Sequence, residues 1–357
     1  MPSKPVTEEP TETEQQNPSL QLEQERRTVS FDTYDLAVRQ IVDMISSKDI
    51  NIAPEYQRKF VWEDTRQSEF IESVFLGIPS PSIFMATNRD STWEVVDGVQ
   101  RLSTLLHFSG TEEQIGRILG DSKPLTLKGL EKLTAFNMHK FSTLPKSIQL
   151  GFMTRPLRVT VLNDKSDMGV RFDLFERLNS GGVKLQDQEI RNCVYRGPFN
   201  DKLKDFAKDS NFLKVVKLSE ADRTNGTYEE LALRFFAFLE NYQKFEHSVR
   251  EFLNDYMEKS NAIMPPAQVL TTFVETFKFL AKELPRGIVR STGITPINLY
   301  EAISVGAALI YIKNGKPKAN VVNALLKDEM LKDLTTGGTN SRKMVVGRIE
   351  LVRDRLQ

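Results

Sequence analysis

Cysteine is almost absent from this 357-residue chain. Cys193 stands alone, which excludes a disulfide framework and a thiolate metal cluster. Histidine is nearly as scarce: His107, His139 and His247 lie far apart in unrelated contexts, against a zinc site and against the His-rich centre of an HNH-type nuclease. Net charge is missing too. With 48 basic and 48 acidic residues, no whole-surface attraction to nucleic acid follows, and only a local patch could recruit it. No apolar run reaches the ~20 residues that span a bilayer. The opening MPSKPVTEEPTETEQQNP has neither an apolar signal core nor a transit-peptide composition. A cytoplasmic chain with no membrane partner is expected. The G-x-x-x-x-G-K-[ST] phosphate loop is absent as well, so any nucleotide site must be of another kind.

What is present describes an ordinary globular protein, 39% hydrophobic and 27% charged. Residues 1–28, rich in Pro, Glu, Gln and Thr, read as a disordered acidic tail. From Ser30 the spacing predicts a small α+β unit. YDLAVRQIVDMISSKDI reads as an amphipathic helix, IAPEYQRKFVW as extended, and DTRQSEFIESVFLGIPSP as a helix stopped by Gly77 and Pro79. SIFMAT and WEVV read as strands, Gly98 to Phe108 as a helix, LTLKGLEKL as a short helix and LRVTVLN as a strand. MGVRFDLFERLNSGGVKL then gives a helix closed by Gly181 and Gly182. Beyond Gln186 the pattern is almost wholly helical, with Thr227 and Glu230 spaced as a capping box. The expected domains are therefore a tail (1–28), a mixed α/β domain (29–197) and a helical domain (198–357).

The junction Asp97-Gly98-Val99-Gln100-Arg101, between strand and helix, is the most informative stretch. One reading makes Asp97 the N-cap and Gln100 the third helical residue of a capping box. That leaves Gly98 and Arg101 over. Glycine early in a helix costs about 1 kcal/mol against alanine, and a cation beside the positive helix end costs about 0.3–1 kcal/mol. Both costs make sense if an anion sits there, because bare amides and a guanidinium fork suit a phosphate-sized group. Two further polar groups bear on the same reading. Tyr56-Gln57-Arg58 lies in the extended segment, where a solvated edge strand is the alternative. Asn179 precedes Gly181-Gly182, where an ordinary helix C-cap is the alternative.

The stretches IAPEYQRKFVW, FIESVFLGIPSPSIFM, WEVVDGVQRLSTLLHF and LFERLNSGGVKLQDQEIRNCVYRG, in this order, resemble the N-terminal domain family of GmrSD-type modification-dependent restriction systems. That family belongs to the wider ParB/sulfiredoxin-like group. The resemblance runs from about Ser30 to Gly197. It implies a small ParB/sulfiredoxin-like mixed α/β fold that binds, and in several members hydrolyses, nucleoside triphosphates in anti-phage defence. The family's Asp-Gly-Gln-Gln-Arg motif falls on Asp97, Gly98, Val99, Gln100 and Arg101, with Val99 replacing the usual glutamine. Its earlier Gln-Arg pair falls on Gln57 and Arg58. Nucleotide ligands are then expected to be Tyr56, Gln57, Arg58, Gly98, Arg101 and Asn179. Asp97, Gln100 and Arg101 would serve catalysis, Asp97 holding Mg²⁺ or the attacking water. Because no HNH-like cluster follows Gly197, a nuclease partner in trans is expected.

Three other outputs compete with this one. A DNA-binding protein with a vestigial pocket would use Arg342, Lys343, Arg348 and Arg353 of the C-terminal helix, for which a solvated amphipathic helix is the alternative. A pure interaction module would dock a partner, or a second copy of the chain, through the helical half. A metal nuclease would rest on Asp97 with Glu94, two carboxylates three residues apart at a strand end.

Overall fold

The computed structural model describes residues 30–52, 62–88, 90–120, 123–163, 168–178, 186–290, 293–337 and 340–357. Among these the chain is α+β and divides into two compact units between Leu174 and Phe175.

The first unit holds strands β1 (Phe31–Ala37), β2 (Ile50–Asn51), β3 (Ile83–Thr87), β4 (Trp93–Asp97) and β5 (Pro156–Leu162). They form one mixed sheet in the order β1-β5-β3-β4-β2. Its helices are α1 (Val38–Ser47), α2 (Asp64–Leu76), α3 (Val99–Ser109), α4 (Glu112–Leu119) and α5 (Lys146–Met153); α6 (Met168–Leu178) follows β5, and the division between the units falls within it. Val38, Ile41, Val42 and Ile45 of α1 recur at helical spacing and bury one stripe. With Ile83, Met85, Val95, Leu102, Leu105, Val159 and Val161 they make the core on one sheet face.

The first helix starts later than its apolar spacing predicts, because residues 31–37 are a strand. Phe31, Thr33 and Tyr34 suit a pleated edge, and β1 pairs antiparallel with β5 from Phe31↔Leu162 to Ala37↔Pro156. Asp35 accepts two bonds from the facing Arg158, each 3.0 Å, which pins that register. LTLKGLEKL is not helical either. Leu125 and Leu127 give their amides to the carbonyls of His107 and His139, and Gly129 turns at φ 73°. Leu125, Leu127 and Leu130 are buried by tertiary contacts rather than by a helical stripe. Helix α4 was not expected, although Thr111 and Gln114 cap it reciprocally.

The second unit is helical: α7 (Asp187–Val194), α8 (Pro198–Phe206), α9 (Ser210–Val215), α10 (Thr227–Asn241), α11 (Val249–Ala262), α12 (Ala267–Glu283), α13 (Ile297–Tyr311), α14 (Val322–Leu325), α15 (Glu329–Thr335) and α16 (Arg342–Leu356). Helix α13 is buried from Leu299 to Ile310 and so is apolar nearly all round. Gly306 lets α16 approach it, since a Cβ there would lie 2.6 Å from Val352 Cγ1. The Thr227–Glu230 capping box does not form. Gly226, at φ 82°, is the N-cap, and no side chain caps α10. Glu230 is drawn instead to Arg234 at 2.8 Å and Arg191 at 3.1 Å, where charge-assisted bonds outcompete a backbone amide.

Candidate functional site

Strand β4 enters the junction through a bulge. Met85 faces Val95 but Phe84 faces Asp97, so β4 carries one extra residue there. The consequence concerns Glu94 and Asp97. Regular alternation would send residues three apart to opposite faces. Glu94 instead pairs with Ala86 and Asp97 with Phe84, two residues apart on β3, so both acids fall on the same sheet face. Glu94 is 1% exposed.

Gly98 ends the strand at φ 105°, a conformation that side chains rarely adopt, and no side chain caps α3. Its missing Cβ matters as well, since one would meet Arg101 Nη2 and Ile83 Cγ2 at 3.2 Å each. Asp97 is therefore not the N-cap of a capping box. It accepts from Arg101 Nη2 at 2.6 Å, one helical turn on. Arg101 also donates through Nη1 to Pro81 O and through Nη2 to Ser82 O (3.3 Å). The arginine that a helix start disfavours is thus neutralised at once, and it ties α3 to the turn before β3. Its side chain is 12% exposed and that of Asp97 41%. Burial lowers the Arg101 guanidinium from its ordinary value, and Asp97 opposes that shift.

Gln100 is not a cap partner either. Its Oε1 accepts from the Trp62 amide at 3.2 Å. The Trp62 carbonyl accepts in turn from Gln67 Nε2 at 2.7 Å, while Gln67 Oε1 lies 2.8 Å from His107 Nδ1. His107 Nε2 reaches the Lys123 carbonyl at 2.9 Å. The Trp62 peptide is held on both sides, and its ring carries the Arg66 guanidinium 4.7 Å from the centroid. Buried Gln67 and His107, forty residues apart, gave no local signal of this link. Val99 turns its side chain onto the core of the first unit.

Tyr56, Gln57, Arg58 and Asn179 lie outside the described residues. Asp97, Gly98, Gln100 and Arg101 are contiguous at the start of α3, as their spacing requires. Among the described residues no group of three or more His, Cys, Asp or Glu is arranged to hold a metal. Of the residues set on a DNA-binding face, Arg342 and Lys343 are exposed. Arg353 is engaged by Asp354 at 2.7 Å and Glu350 at 3.3 Å. Arg348 is corrected outright. It is buried against α13 and paired with Glu301, which also takes Arg234 at 2.7 Å, so it faces no solvent.

Residues 38–196 match the GmrSD restriction endonuclease N-terminal domain. The matched segment spans α1 to just past α7 and contains the whole Asp97–Arg101 junction. No curated protein matches the chain. No helix among the described residues is long and apolar enough to cross a membrane.

Proposed function

We propose that this chain is a nucleoside-triphosphate-binding component of a restriction-like defence system, acting with a nuclease supplied in trans. The GmrSD-type domain suggests the defence setting. The observation that carries nucleotide binding is the start of α3: an uncapped helix N-terminus behind a left-handed glycine, with a guanidinium held beside it by Asp97. A helix start with no side-chain cap at Gly98, together with the helix dipole, favours an anion there. A phosphate would take the Arg101 fork in competition with Asp97. Tyr56, Gln57, Arg58 and Asn179 enter this reading by sequence alone.

Magnesium fits only as the nucleotide's companion. Mg²⁺ is commonly held by one or two carboxylates together with substrate phosphates, and Asp97, partly exposed and on the same face as Glu94, supplies such a carboxylate. Hydrolysis would then need Asp97 released from Arg101 to orient water. The core-facing side chain of Val99 indicates that position 99 serves packing in this chain.

The test is a titration of ATP, GTP, CTP and UTP against wild type and Arg101→Ala, followed by phosphate release with Mg²⁺. Saturable binding that Arg101→Ala abolishes supports the reading. Absence of binding by all four nucleotides removes it, and binding unchanged in Arg101→Ala removes the site. Salt-sensitive DNA binding without nucleotide binding would favour the DNA-binding alternative.

A further inference from the structure

Strand β1 is one edge of the sheet in the first unit, and β2 is the other. β2 has two residues, too few to template a partner, whereas β1 runs for seven, FDTYDLA, against β5. The Asn163 amide donates to the Ser30 carbonyl, and the Val38 amide to the Arg155 carbonyl. Antiparallel bonds alternate along a strand, so the even-numbered residues from Ser30 to Val38 turn their peptide groups to β5. Those of Phe31, Thr33 and Asp35 point out of the edge, where no hydrogen bond meets them among the described residues. Residues 31–35 are all exposed.

Natural sheets usually blunt such an edge with lysine, proline, a bulge or brevity. FDTYDLA has no lysine or proline, and its pairing with β5 shows no shift in register. Its charges are Asp32 and Asp35, and both oxygens of Asp35 accept from Arg158.

Those two charges decide what the edge can pair with. A second copy of β1 must meet it antiparallel, because both strands then offer the same odd-numbered peptide groups. The two-fold axis passes through one residue, which faces its own counterpart. At Asp32 or Asp35 that pivot sets two carboxylates opposite each other, which is destabilising. At Tyr34 it sets Asp32 against Leu36, which is 6% exposed and part of the core. At Thr33 every pair is compatible. Thr33 faces Thr33, Asp32 faces Tyr34, and Phe31 faces Asp35, whose charge Arg158 already offsets. The pairs Phe31–Asp35, Thr33–Thr33 and Asp35–Phe31 then exchange about six backbone hydrogen bonds. With 48 basic and 48 acidic residues, net charge does not oppose the approach of one copy to another.

We infer that β1 is a homodimer interface: two copies join antiparallel at their β1 edges, on a two-fold axis through Thr33, into one continuous sheet. Strands β5 and β3 separate β1 from β4, so the start of α3 lies off this edge and the inference stands apart from the nucleotide reading.

The experiment follows the oligomeric state of the full-length chain by sedimentation equilibrium. It compares wild type, Thr33→Lys, Thr33→Glu and an equimolar mixture of the two variants. Only at the pivot does a residue face its own counterpart, so each variant alone opposes like charges and the mixture pairs opposite ones. Each variant alone should weaken the dimer about tenfold or more, and the mixture should recover wild-type association. In wild type, amide exchange at Phe31, Thr33 and Asp35 should slow as concentration rises, an arm that decides even where a variant is unstable. Wild type that stays monomeric into the millimolar range overturns the inference. So does a dimer untouched by either variant, or a mixture that associates no more tightly than its components. Slow exchange of the three edge amides in monomeric wild type also overturns it, because another segment then covers the edge. Nucleotide affinity should be the same in both variants as in wild type. If wild type binds no nucleotide, the proposed function fails while the sedimentation arm still decides β1.

Discussion

Replacing Gly98 by alanine tests the junction most economically. Two costs follow from its geometry. A non-glycine residue forced to positive φ loses about 1–2 kcal/mol, and at φ 105° the upper part of that range applies. The new Cβ would also stand 3.2 Å from both Arg101 Nη2 and Ile83 Cγ2, and 3.3 Å from Ile83 Cγ1. Ile83 is buried in the core and cannot retreat freely, whereas Arg101 can swing away from Asp97. Tight packing of this kind costs about 1 kcal/mol or more. Together the loss is about 2–3 kcal/mol, read as a lower urea midpoint at unchanged slope. Relief by moving Arg101 also predicts weaker nucleotide affinity in Gly98→Ala even where the protein is fully folded. A loss below about 0.5 kcal/mol, the range of an ordinary surface substitution, would refute the strained-glycine account of this turn.

Arg348→Ala should destabilise the fold by about 3–5 kcal/mol, the usual effect of removing one partner of a buried ion pair, without altering the salt dependence of any DNA binding; a mild effect on melting with a reduced salt slope would return Arg348 to the surface. Burial pushes the Glu230 carboxyl up, but Arg234 and Arg191 together hold it below the ordinary glutamate value. A depressed folded pKa contributes stability above the unfolded value that is lost as pH falls through the folded one, so wild type should lose more stability than Glu230→Gln below about pH 4.5, measured by urea titration across pH 3–6. Gln100→Ala removes the acceptor from the Trp62 amide and should cost about 1 kcal/mol. In a Trp93→Phe background it should also shift Trp62 fluorescence, and an unchanged spectrum would contradict the tether.

Much of the fold was legible because its cues are local. DTRQSEFIESVFL ends at Gly77 in the left-handed C-cap expected of it, and SIFMAT and LRVTVLN carry the β-rich apolar runs of paired strands. Misreadings arose where tertiary partners outbid local preference. Residues 34–37 satisfy helical spacing, yet β5 offers them a whole ladder of hydrogen bonds. Leu125, Leu127 and Leu130 of LTLKGLEKL are buried by neighbours rather than by a helix of their own. At the junction the contiguous polar residues were visible, but their bonds were not. Both Asp97 and Gln100 fitted a capping box by spacing, and each chose a stronger partner, Arg101 and the Trp62 amide. The bulge that puts Glu94 beside Asp97 on one face depends on pairing with β3, which no pattern within WEVVD encodes. Likewise, the alternating charges from Arg191 to Arg348 gather residues far apart in the chain, and α16 read alone made Arg348 look like a surface cation.

The central claim is that the start of α3 receives a triphosphate. It is tested most directly by selective ¹⁵N labelling of valine, glutamine and arginine, following the amides of Val99, Gln100 and Arg101 as each nucleotide is added with Mg²⁺. Saturable shifts of these amides, reproduced weakly by inorganic triphosphate and lost in Arg101→Ala, are predicted. Amides of α3 that stay still while nucleotide binds elsewhere, or that do not respond to any of the four nucleotides, would contradict it.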